Sequence, residues 1–397
     1  MKDEICLLTV RSSINQDIDR INREYFNLLS ESTGKKIRVI EPDELSEGEY
    51  CFVYIASGGS EQQFRELMKY IEGRRIYLLT SGKSNSLAAS MEILAYIRSM
   101  GEKGEIIHGD ADDLARELGN VLKAENAIAS FRKMKLGQVG PSSDWLIASD
   151  MDRNALKSKL GITICDVPMD ELLSEYEKHS YMEDQWTELL KNQDFDKEEV
   201  ERALWVYGAL DRISETYGLS GLSVRCFDLL ISIKTTGCLG LAVLNARGIY
   251  GGCEGDMPAL VSMAILGEIS GKPVFMCNPS RINTKSSEMV FAHCTLPLNM
   301  PYKFRLDTHF ESDIGVAIAG AIPEGDATIF KVSNDLGRYY ASRITIEENL
   351  NDPDLCRSQI RIKLPDCRYF LEDPIQNHHL ICSGDETRSL EKFFKLI

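Results

Sequence analysis

The chain has 397 residues, 43% hydrophobic and 27% charged. This is an ordinary globular composition that argues against extensive disorder and leaves room for two or three domains. Lys plus Arg number 45 against 61 Asp plus Glu, a formal charge of −16. So acidic a surface repels phosphate backbones and anionic lipid, so neither nucleic acid nor membrane is expected as a partner. No apolar run reaches the length of a membrane span. The opening Met1-Lys2-Asp3-Glu4 leads into a strand-like segment and not an export signal, so a cytoplasmic location is expected.

In chain order, residues 4–10, 37–41, 50–56 and 75–80 read as strands, and 15–31, 60–72 and 86–100 carry apolar residues at helical spacing. Alternating strands and helices predict a mostly parallel sheet covered on both faces, a Rossmann-like domain over residues 1–138. The loop Thr80-Ser81-Gly82-Lys83-Ser84-Asn85-Ser86 follows a strand and opens a helix. Its backbone N–H groups, Lys83 and Asn85 suit an anionic or polyhydroxy ligand. It is not a P-loop, because Tyr77 stands where the first glycine belongs, and an ordinary βα turn is the plainer reading.

Residues 136–144 (LGQVGPSSD) are rich in Gly, Pro and Ser and read as a linker. A central α/β domain over 139–284 is expected to hold a strand at 145–149, a polar helical region near 169–217 and apolar segments at 222–233 and 237–244. Residues 256–269 form a helix capped by Asp256, with Pro258 in its first turn and Gly271 after its end. The strand 273–277 follows. From 285 to 397 short β-rich runs separated by turn residues predict an antiparallel sandwich or barrel, closed by a short helix at 387–396. The expected fold is two doubly wound parallel α/β domains followed by a C-terminal antiparallel β domain.

Glu254 lies in Gly-Gly-Cys-Glu-Gly-Asp just before the 256–269 helix, and Asn278 ends the next strand. Functional groups gather at the ends of parallel strands, so these two are expected close together, with His293 reaching them from the β-rich region. The six histidines are His108, His179, His293, His309, His378 and His379. Neighbours on a strand face opposite ways, so only one of His378 and His379 can face a given site. One carboxylate with two imidazoles suits Mn, Zn or Fe. The plainer readings are a turn glutamate, a hydrogen-bonded core histidine at 293, a surface pair at 378–379 and a structural His309. The eleven cysteines contain no Cys-x-x-Cys pair and read as reduced thiols, mostly small buried apolar groups. Among those near the motif, Cys277 is the candidate reactive thiol, a thiolate for a softer metal such as Zn or Fe.

Together, Gly-Cys-Glu-Gly-Asp (252–256), the strand ending near 278, Ala-His-Cys (292–294) and Asn-His-His (377–379) resemble the L-fucose isomerase-like family, whose architecture L-arabinose isomerase shares. Val-Arg-Cys-Phe-Asp (224–228), the run 235–245 and Ile-Pro-Glu-Gly-Asp-Ala-Thr (322–328) extend the resemblance, which covers roughly residues 75–385 in order. It implies a site between the last two domains and a divalent cation, usually Mn²⁺, with Zn²⁺ or Fe²⁺ as alternatives. The implied reaction is aldose–ketose isomerisation of a small carbohydrate through an enediol, in a homo-oligomer, trimer or hexamer. Glu254 would be both base and metal ligand, and His293 and His378 further ligands. Lys83 and Asn85 would reach a neighbouring subunit's site, and Asp256, His309 and His379 would contact substrate. One departure matters. Asn278 stands where the family has a second carboxylate; its amide can ligate a hard cation but cannot usefully take a proton. Asp256, Asp228 and Glu288 are candidate substitutes. The alternatives are therefore a non-catalytic sugar-binding or regulatory protein, or a different metal-assisted reaction that uses Cys277.

Overall fold

Alternation of side chains along five short strands builds the first of two compact units, Met1–Leu122 and Lys123–Ile397. The computed structural model describes residues 4–12, 18–46 and 48–397. The first unit holds β1 (Glu4–Val10), β2 (Lys36–Val39), β3 (Tyr50–Ile55), β4 (Arg75–Thr80) and β5 (Gly104–His108). All pair in parallel, in the order β2-β1-β3-β4-β5. Leu7, Phe52, Tyr54 and Leu79 pack on one face with the helices Ile18–Thr33 and Ala111–Phe131. Leu8, Val53, Ile55 and Leu78 pack on the other with Glu61–Ile71 and Ser86–Ser99. Period-two burial on two faces is what a doubly wound sheet requires. The strand and helix assignments from the sequence hold here, except that residues 15–17 of the first helix lie outside the described residues.

The first strand of the second unit is β6 (Lys135–Val139), so the stretch read as a linker starts inside a strand. β6 joins β7 (Thr163–Val167), β8 (Gly221–Val224) and β9 (Tyr250–Cys253) in a parallel sheet of order β7-β6-β8-β9. The remaining strands are β10 (Phe275–Asn283), β11 (Glu288–His293), β12 (Lys303–Asp307), β13 (Ala317–Ala321), β14 (Gly325–Val332), β15 (Tyr339–Asn349), β16 (Ser358–Lys363) and β17 (His379–Ser383). Six of them close an antiparallel barrel, β10-β11-β16-β15-β14-β17, and β12 and β13 form a separate hairpin. The strand expected to stop at Asn278 runs on to Asn283 and belongs to this barrel, so the barrel takes its first strand from ahead of residue 285. The C-terminal helix is Thr387–Leu396.

The helix Met257–Ser270 connects sheet and barrel. Nearly all its residues are buried, including Leu260, Ile265 and Leu266, and its Ser262 hydroxyl accepts the Val332 N–H of β14 at 3.1 Å. A helix apolar on all sides is stable only when it is packed on all sides, and each such side chain contributes about 1.5–3 kcal/mol. One hydrophobic cluster runs continuously from the sheet helices into the barrel. The first turn of this helix therefore begins in the interior. Among the described residues no helix is long and apolar enough to cross a membrane.

Candidate metal centre

Where β9 ends, two consecutive residues enter the left-handed region, Glu254 at φ +63° and Gly255 at φ +66°. Such a conformation is uncommon for a non-glycine residue and persists only when its surroundings enforce it. Here the Ser143 N–H donates to the Glu254 carbonyl at 2.9 Å and the Gly255 N–H to the Val224 carbonyl at 3.0 Å. A Cβ on Gly255 would lie 2.6 Å from the Pro141 carbonyl oxygen, so the position excludes any side chain. Asp256 then caps the helix, its Oδ1 accepting the Ala259 N–H at 2.8 Å.

The barrel supplies the imidazoles. His293 ends β11 and His378 immediately precedes β17. Glu254, His293 and His378 each offer one ligand atom, all within 4.8 Å of one another. The His378 Nδ1 lies 2.9 Å from Asp256 Oδ2, and its Nε2 lies 3.5 Å from Glu254 Oε1. That Nε2 is buried and makes no hydrogen bond. A carboxylate on one ring nitrogen that leaves the other bare is the arrangement of a metal-binding histidine. The His293 Nδ1 is 3.0 Å from the Thr295 hydroxyl. The Glu254 carboxylate and the His293 and His378 imidazoles fit a divalent cation such as Mn²⁺, Zn²⁺ or Fe²⁺.

The electrostatics agree with the geometry. Burial favours a neutral Glu254, but His378, His293 and the Trp145 donor outweigh it and bring its carboxyl down to about 2. Burial would lower His378, yet Asp256 and Glu254 raise it to about 9. Burial and the neighbouring His378 lower His293 to about 3. Lys331 on β14 is fully buried and its Nζ has no hydrogen-bond partner; burial lowers its ammonium, opposed by the charge of Asp256.

A cleft of about 420 Å³ opens on Glu254, lined also by Trp145, Phe227, Asn278, Pro279, Glu311 and Asn377. The Trp145 indole donates to Glu254 Oε2 at 2.6 Å and packs edge-on against Phe227, with ring centroids 4.8 Å apart. The Asn278 amide oxygen accepts from Asn377 at 3.1 Å. Glu254 and Asn278 thus meet, though not as ends of parallel strands. His309 touches the far side of Phe227 and bonds Ser312.

Other candidates lie elsewhere. His379 faces away from His378, between the Asn377 carbonyl and the Tyr369 hydroxyl, as strand alternation requires. Cys277 pairs in register with His379, donates to its carbonyl and is fully buried, which keeps it a neutral thiol outside the ligand group. Asp228 is held by Arg225. Glu288 begins the strand that His293 ends, about 17 Å away along it. Lys83 and Asn85 are exposed, in a turn of the first unit where Ser84 and Asn85 have positive φ.

The sequence reading missed Trp145, Phe227, Glu311 and Asn377. Residues 145–149 were expected to form a strand, and they form turns in which Leu146 bonds Ser143 and Ser149 bonds Leu146. Of their large apolar side chains only Leu146 is buried; Trp145 is 52% and Ile147 94% exposed. The one available signal was a tryptophan inside a Pro/Ser-rich stretch.

No family model matches the chain. It is similar to proteins named sulfoquinovose isomerase. It is 24% identical over 275 residues to those of Priestia aryabhattai and Priestia megaterium, covering 63% of this chain and 59% of each relative. It is 24% identical over 284 residues to that of a Clostridium species, covering 66% of this chain and 61% of the relative. The chain thus matches about three-fifths of the length of these relatives, which carry the name of a sugar isomerase.

Proposed function

We propose that the chain is a metal-dependent aldose–ketose isomerase that acts on a small uncharged sugar through an enediol, as a homo-oligomer. The observation that carries this reading is the cluster of Glu254, His293 and His378, whose ligand atoms lie within 4.8 Å of one another, with Glu254 lining the cleft. Similarity to proteins named as sugar isomerases supports it.

Glu254, His293 and His378 would hold the cation, with Asn278 at the rim. When bound, a divalent cation supplies Lewis-acid stabilisation of charge on adjacent substrate oxygens. Glu254 takes the carbon-bound proton and returns it to the neighbouring carbon. Its value of about 2 belongs to the carboxylate paired with His378; without that pairing, burial raises its basicity. The Trp145 indole fixes the carboxylate's orientation. Asp256 holds His378 in place. Asn278 and Asn377 offer amides to sugar hydroxyls, and Phe227 and Trp145 offer apolar faces. Asp256, His309 and His379 shape the site from behind these groups, and Lys83 and Asn85 are proposed contacts from a second copy.

The lining supports an uncharged substrate. A sulfonate is a permanent anion, and Glu311 at the cleft repels it. The guanidinium of Arg225, two residues before Phe227 in the chain, is already held by Asp144, Asp228 and the Ser142 carbonyl. A second reading, sugar binding without turnover, is favoured by one residue, Asn278, which cannot relay a proton.

The test is metal analysis of the purified protein followed by an isomerisation assay over neutral pentoses, hexoses, deoxy sugars and sulfoquinovose with Mn²⁺. Turnover of a neutral aldose, abolished in Glu254→Gln, supports the enzyme. Sugar binding without turnover supports the second reading. A metal-free protein whose stability ignores added Mn²⁺ and Zn²⁺ overturns both the centre and the reaction.

A further inference from the structure

Two thiols lie directly behind the cleft wall. Cys226 follows β8 and Cys253 ends the adjacent parallel strand β9, where it pairs in register with Val224. Their Sγ atoms are 2.8 Å apart, and both side chains are buried. The sulfurs need to close only from this contact to a bond of about 2.05 Å. Each cysteine immediately precedes a residue of the cleft: Phe227 follows Cys226, and Glu254 follows Cys253.

We propose that Cys226 and Cys253 are an oxidisable pair whose closure to a disulfide disables the adjoining site. Hydrogen peroxide is the oxidant. It converts one thiol to a sulfenic acid and releases a first water; the second thiol then attacks that sulfur and displaces its hydroxyl as a second water. Two thiols and one peroxide thus give one disulfide and two waters, the sulfurs losing the two electrons that the peroxide gains.

The reach of this reaction into the site comes from the turn it pulls on. Glu254 and Gly255 are both left-handed, and their backbone is tied to Ser143 and Val224. A sulfur drawn toward Cys226 pulls on Cys253, the residue next to this turn. To serve as a ligand the Glu254 carboxylate must stay where its oxygens meet His293 and His378, a position the Trp145 indole holds. The turn is held too tightly to absorb the movement elsewhere, so the carboxylate takes it up. Burial of both thiols limits the oxidant's access, which makes the first step slow and selects for prolonged oxidant exposure. The neighbouring cysteines differ: Cys356 packs against Cys238 and Cys294, on the His293 side of the site.

The sulfur chemistry stands on the pair itself, and its effect on the cation rests on the function proposed above. The experiment exposes the intact protein to hydrogen peroxide for hours, blocks free thiols, and maps disulfides by mass spectrometry without reduction. Mn²⁺ binding is measured calorimetrically before and after, and again after dithiothreitol. The expected result is a Cys226–Cys253 linked peptide, Mn²⁺ affinity lowered by about tenfold or more, and full recovery on reduction. Cys226→Ser and Cys226→Ala should bind Mn²⁺ as before and keep that affinity through peroxide. The proposal is overturned if the linked peptide does not form, if Cys294–Cys356 forms in its place, or if the peptide forms and Mn²⁺ binding by the reduced and oxidised proteins is equal. Failure of the fully reduced protein to bind Mn²⁺ would overturn the metal centre instead, and the peptide map would still decide the pair.

Discussion

The carboxyl edges of the two parallel sheets start from one βα pattern and end in different chemistry. In the first unit, β4 runs into Gly82-Lys83-Ser84-Asn85, whose polar groups stay in solvent. In the second, β9 runs into Glu254-Gly255-Asp256, whose two carboxylates are buried. Local conformation does not separate them, since both loops use left-handed residues and both open a helix of 14 residues. The difference lies in what packs above the edge. Helix Met257–Ser270 is covered by the barrel, and the barrel brings His293 and His378 onto the acids. A buried carboxylate persists only with such partners, so this site exists because two layers meet, whereas the first loop needs no partner to fold.

Breaking that dependence should have graded consequences. The largest is expected from Glu254→Gln, which keeps the shape and removes the carboxylate proposed as the base. Turnover of any accepted aldose should fall about 10²–10⁴-fold, while circular dichroism stays close to wild type. Asp256→Asn is next: the orientation of His378 weakens, and titration with Mn²⁺ should show affinity reduced about 10–100-fold. Gly255→Ala tests the turn. A Cβ 2.6 Å from the Pro141 oxygen at φ +66° should cost about 1–3 kcal/mol in urea unfolding.

The acid–imidazole cluster also sharpens the comparison through pH. His378 is raised from 6.5 to about 9 in the folded chain. Its charged form therefore stabilises the metal-free protein fully below about 6.5, and this contribution disappears as pH rises through about 9. Chelator-treated wild type should lose stability over that interval relative to His378→Gln, and parallel curves for the two would refute the pairing. The smallest effect belongs to the first edge: Lys83→Ala, on an exposed side chain, should change unfolding free energy by less than about 0.5 kcal/mol.

Much of this was legible before any coordinates. Period-two and helical patterns located β1, β4 and the C-terminal helix at their observed ends, and the capping chemistry of Asp256, Pro258 and Gly271 marked the buried helix. Glu254, His293 and His378 stood out as residue types and as parts of a resemblance. Trp145 did not, because an apolar pentapeptide reads alike whether it pairs in a sheet or folds back over a cleft. Asn278 was placed beside Glu254 for an incorrect reason: β10 continues past it into the barrel, and apolar patterning does not report which sheet a strand joins.

The order of strands and helices, the acidic surface and the stock of ligand-forming side chains are properties of the chain read alone, because each follows from local spacing and composition. Which of two adjacent histidines meets the acids, why Cys277 stays a neutral thiol, and how two sulfurs come into contact behind the cleft were settled only by folding. Those outcomes depend on barrel closure and on the register of β17 against β10, relations between residues roughly a hundred positions apart that no local pattern encodes.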